Sequence, residues 1–210
     1  AVTPVAAATA GVFRLAGEQL STAAMLLLLR TNGLLLGAAA AFTLADSMAV
    51  STAAVPVPRW LRQWLRTGLA ISYAAAAWAA TYPIIVAQSP MSIPVRDTTL
   101  EAAVCVAVGL AGAGFAVRRE PERHGAIAGA ATLFALVVAS LFLPQGRSPW
   151  VSLDAPEWGA VHTGWLLALP LAAAGLAYAH RDTRSGEPPS RDCRHAVPSP
   201  ARRTPLAGVP

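Results

Sequence analysis

The chain has 210 residues, of which 55% are hydrophobic and 13% charged, with a mean hydropathy of +0.49. Soluble domains carry about 25% charged residues, so half that level leaves too little polar surface for a water-soluble globule. The formal net charge of +5 rests on 16 basic residues, all arginine, clustered between apolar runs and in the C-terminal segment. That distribution marks the loops of a membrane protein and argues against nucleic acid as a partner.

In chain order, Arg14 and Glu18 interrupt what would be the apolar part of a signal peptide. Over residues 12–30 a helical wheel gathers Arg14, Gly17, Glu18, Ser21 and Thr22 on one face and Phe13, Ala16, Leu20, Ala23 and Ala24 on the other. This predicts an amphipathic N-terminal helix lying on the membrane surface; the other reading is a first span that buries the Arg14–Glu18 pair. Arg30-Thr31-Asn32-Gly33 reads as a turn. Residues 33–57 form an apolar span with one carboxylate, Asp46, near its middle. About 20 helical residues cross a hydrocarbon core of about 30 Å, and this stretch is long enough.

Pro56 and Pro58 close that span, and RWLRQWLR follows. Arg59, Arg62 and Arg66 share one face and Trp60 and Trp64 the other, which predicts interfacial anchors at the headgroup level. Further spans are predicted at 67–87, 99–117, 125–143 and 161–179. The fold class is therefore all-α: a polytopic transmembrane helical bundle over residues 1–180, with five spans, and a sixth if residues 12–30 insert. Residues 181–210, polar and rich in proline and arginine, predict a disordered basic tail. Three arginines fall in 58–67, three in 118–124 and six in the tail, against one each in 88–98 and 144–160. The arginine-rich set, with the C-terminus, is expected on the cytoplasmic side.

A faint repeat relates Ser89-Pro…Asp97…Glu101-Ala-Ala-Val to Ser148-Pro…Asp154…Glu157-Trp-Gly-Ala-Val. Each copy opens a span, and if the duplication is real both loops lie on one face of the membrane.

Three residues are candidates for a solute or ion path. Asp46 is a carboxylate inside an apolar run, costly unless it has a partner or a role, although a helix ending near Ala45 would bring it to the headgroups. Glu101 and His162 stand at the mouths of the third and fifth spans, where they could cap helices or bind a proton or solute. Arg30 can snorkel to the surface; sixteen helical residues place it about 24 Å from Asp46, too far to pair. Gly109, Gly112, Gly114, Gly125 and Gly129 suit close helix packing. Cys105 and Cys193 do not suggest a disulfide, no histidine spacing suggests haem or zinc, and no nucleotide-binding or hydrolase motif appears. No catalytic residue, metal or cofactor is expected.

Taken together, LLLLRTNGLLLG at 26–37, ADS at 45–47, QSP at 88–90 and AYAHRD at 177–182 give a layout over residues 12–182. It resembles small ABC-type exporter membrane (permease) subunits of high-GC bacteria. The resemblance implies a bacterial plasma-membrane protein that exports a hydrophobic or amphipathic solute. It also implies pairing with other membrane subunits and a separate cytoplasmic ATPase, with no catalytic activity of its own. Such subunits usually have six spans, and five are plain here. The alternative is a non-catalytic accessory or assembly subunit of a larger membrane complex.

Overall fold

The computed structural model describes residues 21–44, 58–87, 92–119, 125–144 and 147–181. These residues form five helices and no strand: α1 (Thr22–Phe42), α2 (Arg59–Val86), α3 (Val95–Arg119), α4 (Gly125–Leu141) and α5 (Trp158–His180). Four of them, α1, α2, α3 and α5, are long and apolar enough to cross a membrane. The 17-residue α4 is apolar but about 25 Å long, a little short of a hydrocarbon core. Large apolar side chains such as Leu69, Phe134, Leu167 and Leu171 stand exposed on the outer faces, as expected where the solvent is lipid.

The contacts fix the directions. Arg30 meets Glu101 and Gly37 meets Cys105, so α1 and α3 run parallel. Glu101 meets His162 and Arg118 donates to the Tyr178 carbonyl, so α3 and α5 are parallel as well. Trp78 reaches Thr99 while Trp64 lies against His180, and Gly129 meets Ala113 while Ser140 meets Trp150; α2 and α4 therefore run the other way. One end of the bundle carries Arg59, Arg62 and Arg66 of α2, Arg118 and Arg119 of α3, and Arg181. The opposite, arginine-poor end carries the starts of α1, α3 and α5. The two loops of the suspected repeat share that end.

The central element is α3, which packs on α1, α4 and α5. A Cβ added at Gly37 would lie 2.5 Å from the Cys105 carbonyl oxygen, and one at Gly109 would lie 2.5 Å from the Gly37 carbonyl oxygen. Without hydrogen side chains at both positions the α1 and α3 backbones could not touch. Gly129 of α4 closes on the same seam, where a Cβ would fall 2.5 Å from Ala41 Cβ. Gly109 and Gly129, singled out in the sequence as packing residues, help set the α1–α3–α4 spacing together with Gly37, which was not singled out.

Two boundaries differ from expectation. No turn separates residues 22–30 from residues 33–42: α1 runs without interruption from Thr22 to Phe42, straight through Arg30–Gly33. The residues that read as a turn make interhelical contacts instead. Arg30 pairs with Glu101, Asn32 Nδ2 donates to Thr81 Oγ1 at 2.8 Å, and Gly33 lets Ala102 approach. The helical N-cap is Ser21, whose hydroxyl accepts from the Ala24 N–H. Likewise RWLRQWLR is not a separate interfacial piece but the first turns of the 28-residue α2. Trp60 and Trp64 are exposed there, and Arg62 and Arg66 are half-buried. The amphipathic stretch before residue 21, Asp46 and the tail beyond Arg181 lie outside the described residues.

Candidate functional site

Three helices each bring one ionisable side chain to the arginine-poor end. Glu101 projects from the second turn of α3 into the contact with α1 and α5. Arg30 of α1 donates to it twice, Nε to Oε2 at 2.9 Å and Nη2 to Oε1 at 3.0 Å, a forked geometry that matches guanidinium to carboxylate. The second carboxylate partner is His162 of α5, with Nε2 at 3.1 Å from Oε1. The side chains are only 11%, 3% and 6% exposed for Arg30, Glu101 and His162 respectively, so the network is a buried one.

The surrounding residues hold this group in place. His162 Nδ1 lies 2.8 Å from the Trp158 carbonyl oxygen, one turn earlier on α5. The Trp158 ring packs against the imidazole with centroids 4.2 Å apart, and its Nε1–H donates to Asp97 Oδ2 at 2.7 Å. Asp97 stands one turn before Glu101, in the first turn of α3, where a carboxylate is also favoured by the helix dipole. The segment between α4 and α5 folds back over the mouth. Its Val151 carbonyl accepts from Arg30 Nη2 at 2.9 Å, and the Trp150 ring lies 5.6 Å from the guanidinium carbon. Trp150 is itself fixed by donating to Ser140 Oγ at 2.7 Å and by packing on Trp165. Trp158→Phe should keep the ring against His162 but lose the bond to Asp97, at about 1 kcal/mol of stability; thermal unfolding of the purified chain checks this.

Two apolar clefts flank the group. One of ≈ 440 Å³ lies between α1 and α4, with Arg30, Leu26, Leu34, Val137 and Trp150 in its walls. Another of ≈ 370 Å³ has Val104, Cys105 and Val108 of α3 as its floor, Leu133 and Leu136 of α4 on one side and Trp165 of α5 on the other. It exists because α4 and α5 both pack on α3 but, among the described residues, not on each other. Trp150 borders both clefts.

Of the sequence candidates, Glu101 and His162 are brought into direct contact, and neither caps a helix. Asp46 lies outside the described residues, as does the side chain of Arg59. Arg30 does not snorkel: it is drawn inward by a carboxylate 71 residues away in sequence. Sequence reasoning missed Arg30, Asp97, Trp150 and Trp158 as parts of the site. One signal for two of them was present: Asp97 precedes Glu101 by four residues and Trp158 precedes His162 by four, at matching mouths of the suspected repeat. Among the described residues no three histidine, cysteine, aspartate or glutamate side chains converge as metal ligands would. Chemically, the group can hold charge and a proton inside an apolar bundle, next to space for an apolar molecule. No protein-family model, curated protein or solved structure matches this chain.

Proposed function

We propose that the chain is a permease-like membrane subunit that moves a hydrophobic or amphipathic solute, with Arg30, Glu101 and His162 as the polar element of its path. The observation that carries this reading is a carboxylate, 3% exposed, shared by a guanidinium and an imidazole from different helices and flanked by two apolar clefts. Ionisable groups inside a membrane bundle are costly and by default belong to a path or relay. An amphipathic solute finds both halves of its chemistry here: apolar walls and, beside them, a charged cluster. All five helices serve as spans in this reading. The short α4 is accommodated by local thinning of the bilayer. The arginine-rich end faces the cytoplasm of a bacterial cell, and a separate ATPase docks there to supply energy.

An accessory subunit of a larger membrane complex is the second reading, favoured by one observation. The open cleft between α4 and α5, floored by α3, has an apolar lining of the kind that receives a partner helix. Purification from native membranes in mild detergent separates the two. Co-purification of an ATPase, with efflux of amphipathic fluorescent dyes from vesicles that is lost in Glu101→Ala, supports the permease. A stable larger assembly without an ATPase and without dye movement rejects it. A cysteine placed at Ser152 should react with membrane-impermeant maleimide added outside intact cells, and a C-terminal tag should not be reached; the reverse pattern would invert the orientation.

A further inference from the structure

Hydrogen-bond bookkeeping at His162 exposes a surplus proton. The Trp158 carbonyl has lone pairs only, so Nδ1, at 2.8 Å, must carry a hydrogen. The other nitrogen, Nε2, faces Glu101 Oε1 at 3.1 Å. If Nε2 were bare and Glu101 ionised, two lone pairs would confront one another in a dry interior. The contact is attractive only with a proton between them, either as Nε2–H donating to the carboxylate or as a carboxylic O–H donating to Nε2. In both arrangements Arg30, Glu101, His162 and that proton sum to one positive charge. The surroundings suit that surplus. Arg30 lies over the Trp150 ring and His162 against the Trp158 ring, so the charge has an aromatic face whether it rests on the guanidinium alone or also on the imidazole.

We propose that the Glu101–His162 pair is a proton-binding site whose occupancy ties α5 to α3, and that its release gates the solute movement that the ATPase powers. The gating rests on the permease reading; the binding site does not. On release, the Nε2–H or O–H bond breaks and the proton passes to water at the arginine-poor end. Asp97, half-buried one turn toward that end and linked to the site through Trp158, is the carboxylate next in line. What remains is a neutral imidazole with its lone pair turned on the Glu101 carboxylate. The α3–α5 tie is then lost while the forked Arg30–Glu101 pair still holds α1 to α3. The seam that loosens borders the cleft floored by Val104 and Cys105.

The charged and titratable groups around the pair are few. α1 supplies Arg30, and α3 supplies Asp97 and the Cys105 thiol one turn deeper than Glu101. α4 has no titratable residue, and the nearest one on α2, Tyr82, donates its hydroxyl to the Ile93 carbonyl. Asp154 and Glu157 of the covering loop are exposed.

The test uses the full chain in phospholipid nanodiscs with ¹⁵N-histidine and ¹³C-glutamate, titrated from about pH 5 to about pH 9, the His162 signal being assigned with His162→Gln. The native chain should show a proton in the pair, as imidazolium beside carboxylate or as neutral imidazole beside carboxylic acid. Its loss on raising pH should accompany faster amide exchange in the first turns of α5. In Glu101→Gln the amide NH₂ can donate to Nε2, so His162 should stay neutral, protonated at Nδ1, with no pH-dependent loosening beyond ordinary base catalysis of exchange. A native His162 that is neutral beside an ionised Glu101 across the whole range overturns the proposal, and needs no variant to fold. Neither partner nor solute is required, so the two readings fail separately. A bound proton without dye movement removes the permease and leaves the site; dye movement without a bound proton removes the site alone.

Discussion

Glu101→Ala is expected to lower stability by about 3 kcal/mol or more, because it strands a buried guanidinium and leaves His162 Nε2 without its partner. Arg30 would keep only the Val151 carbonyl and the Trp150 face. Removing one member of a buried pair costs far more than the pair contributes, since the other charge remains desolvated. The comparison that gives this number meaning is Arg30→Met with Glu101→Met. Losing both charges removes the desolvation cost, so the double variant should recover most of the lost stability, less about 1–2 kcal/mol for the unpaired imidazole nitrogen. Thermal unfolding in one detergent, followed by tryptophan fluorescence or by monodispersity, reads both. A double variant as stable as the native chain but inactive in dye efflux would mean the charges are kept for function. One that is both stable and active would reduce the network to a helix tie.

The segments 99–117, 125–143 and 161–179 correspond closely to the helices α3, α4 and α5, of which α3 and α5 are long enough to cross a membrane, because each is a continuous apolar run bounded by charged or proline-bearing segments. Arg30–Gly33 misled because arginine, asparagine and glycine are turn residues when they face water and contact residues when they face another helix. Which applies depends on Glu101, Thr81 and Ala102, all distant in sequence. The error moved a helix boundary by about ten residues and made residues 33–57 look central, whereas the middle of the bundle is α3. Glu101 and His162 stood out on position alone. That they touch, and that Arg30 completes the group, depends on α1, α3 and α5 running parallel. No single segment encodes that fact; it follows from the alternation of all five helices.

How closely α1 and α3 approach is set by glycine, which gives the second large prediction. Gly109→Leu should be the most damaging single change in the bundle. A side chain there is directed at the Gly37 carbonyl oxygen, with even the first carbon 2.5 Å away. The neighbour is backbone, not a flexible side-chain tip, so relief requires α1 and α3 to part along the whole seam. Overpacking a core typically costs about 1–3 kcal/mol, and Gly109→Ala should fall in that range, with valine and leucine progressively worse. Gly164→Ala is the matched control: a Cβ there meets nothing within 4 Å, and replacing a mid-helix glycine should stabilise α5 by about 0.5–1 kcal/mol. The consequence reaches the site because Gly33, one turn from Arg30, sits against Ala102, the residue after Glu101. Parting α1 from α3 by an ångström stretches both hydrogen bonds of the Arg30–Glu101 fork beyond useful length. Gly37→Ala, four residues and one turn further along α1, should therefore reproduce part of the Glu101→Ala phenotype without touching an ionisable group. The measurement is the His162 ¹⁵N spectrum of Gly37→Ala beside its melting curve. A lowered melting point with an unchanged histidine signal would show that the seam and the site are independent and that helix spacing does not control the proton.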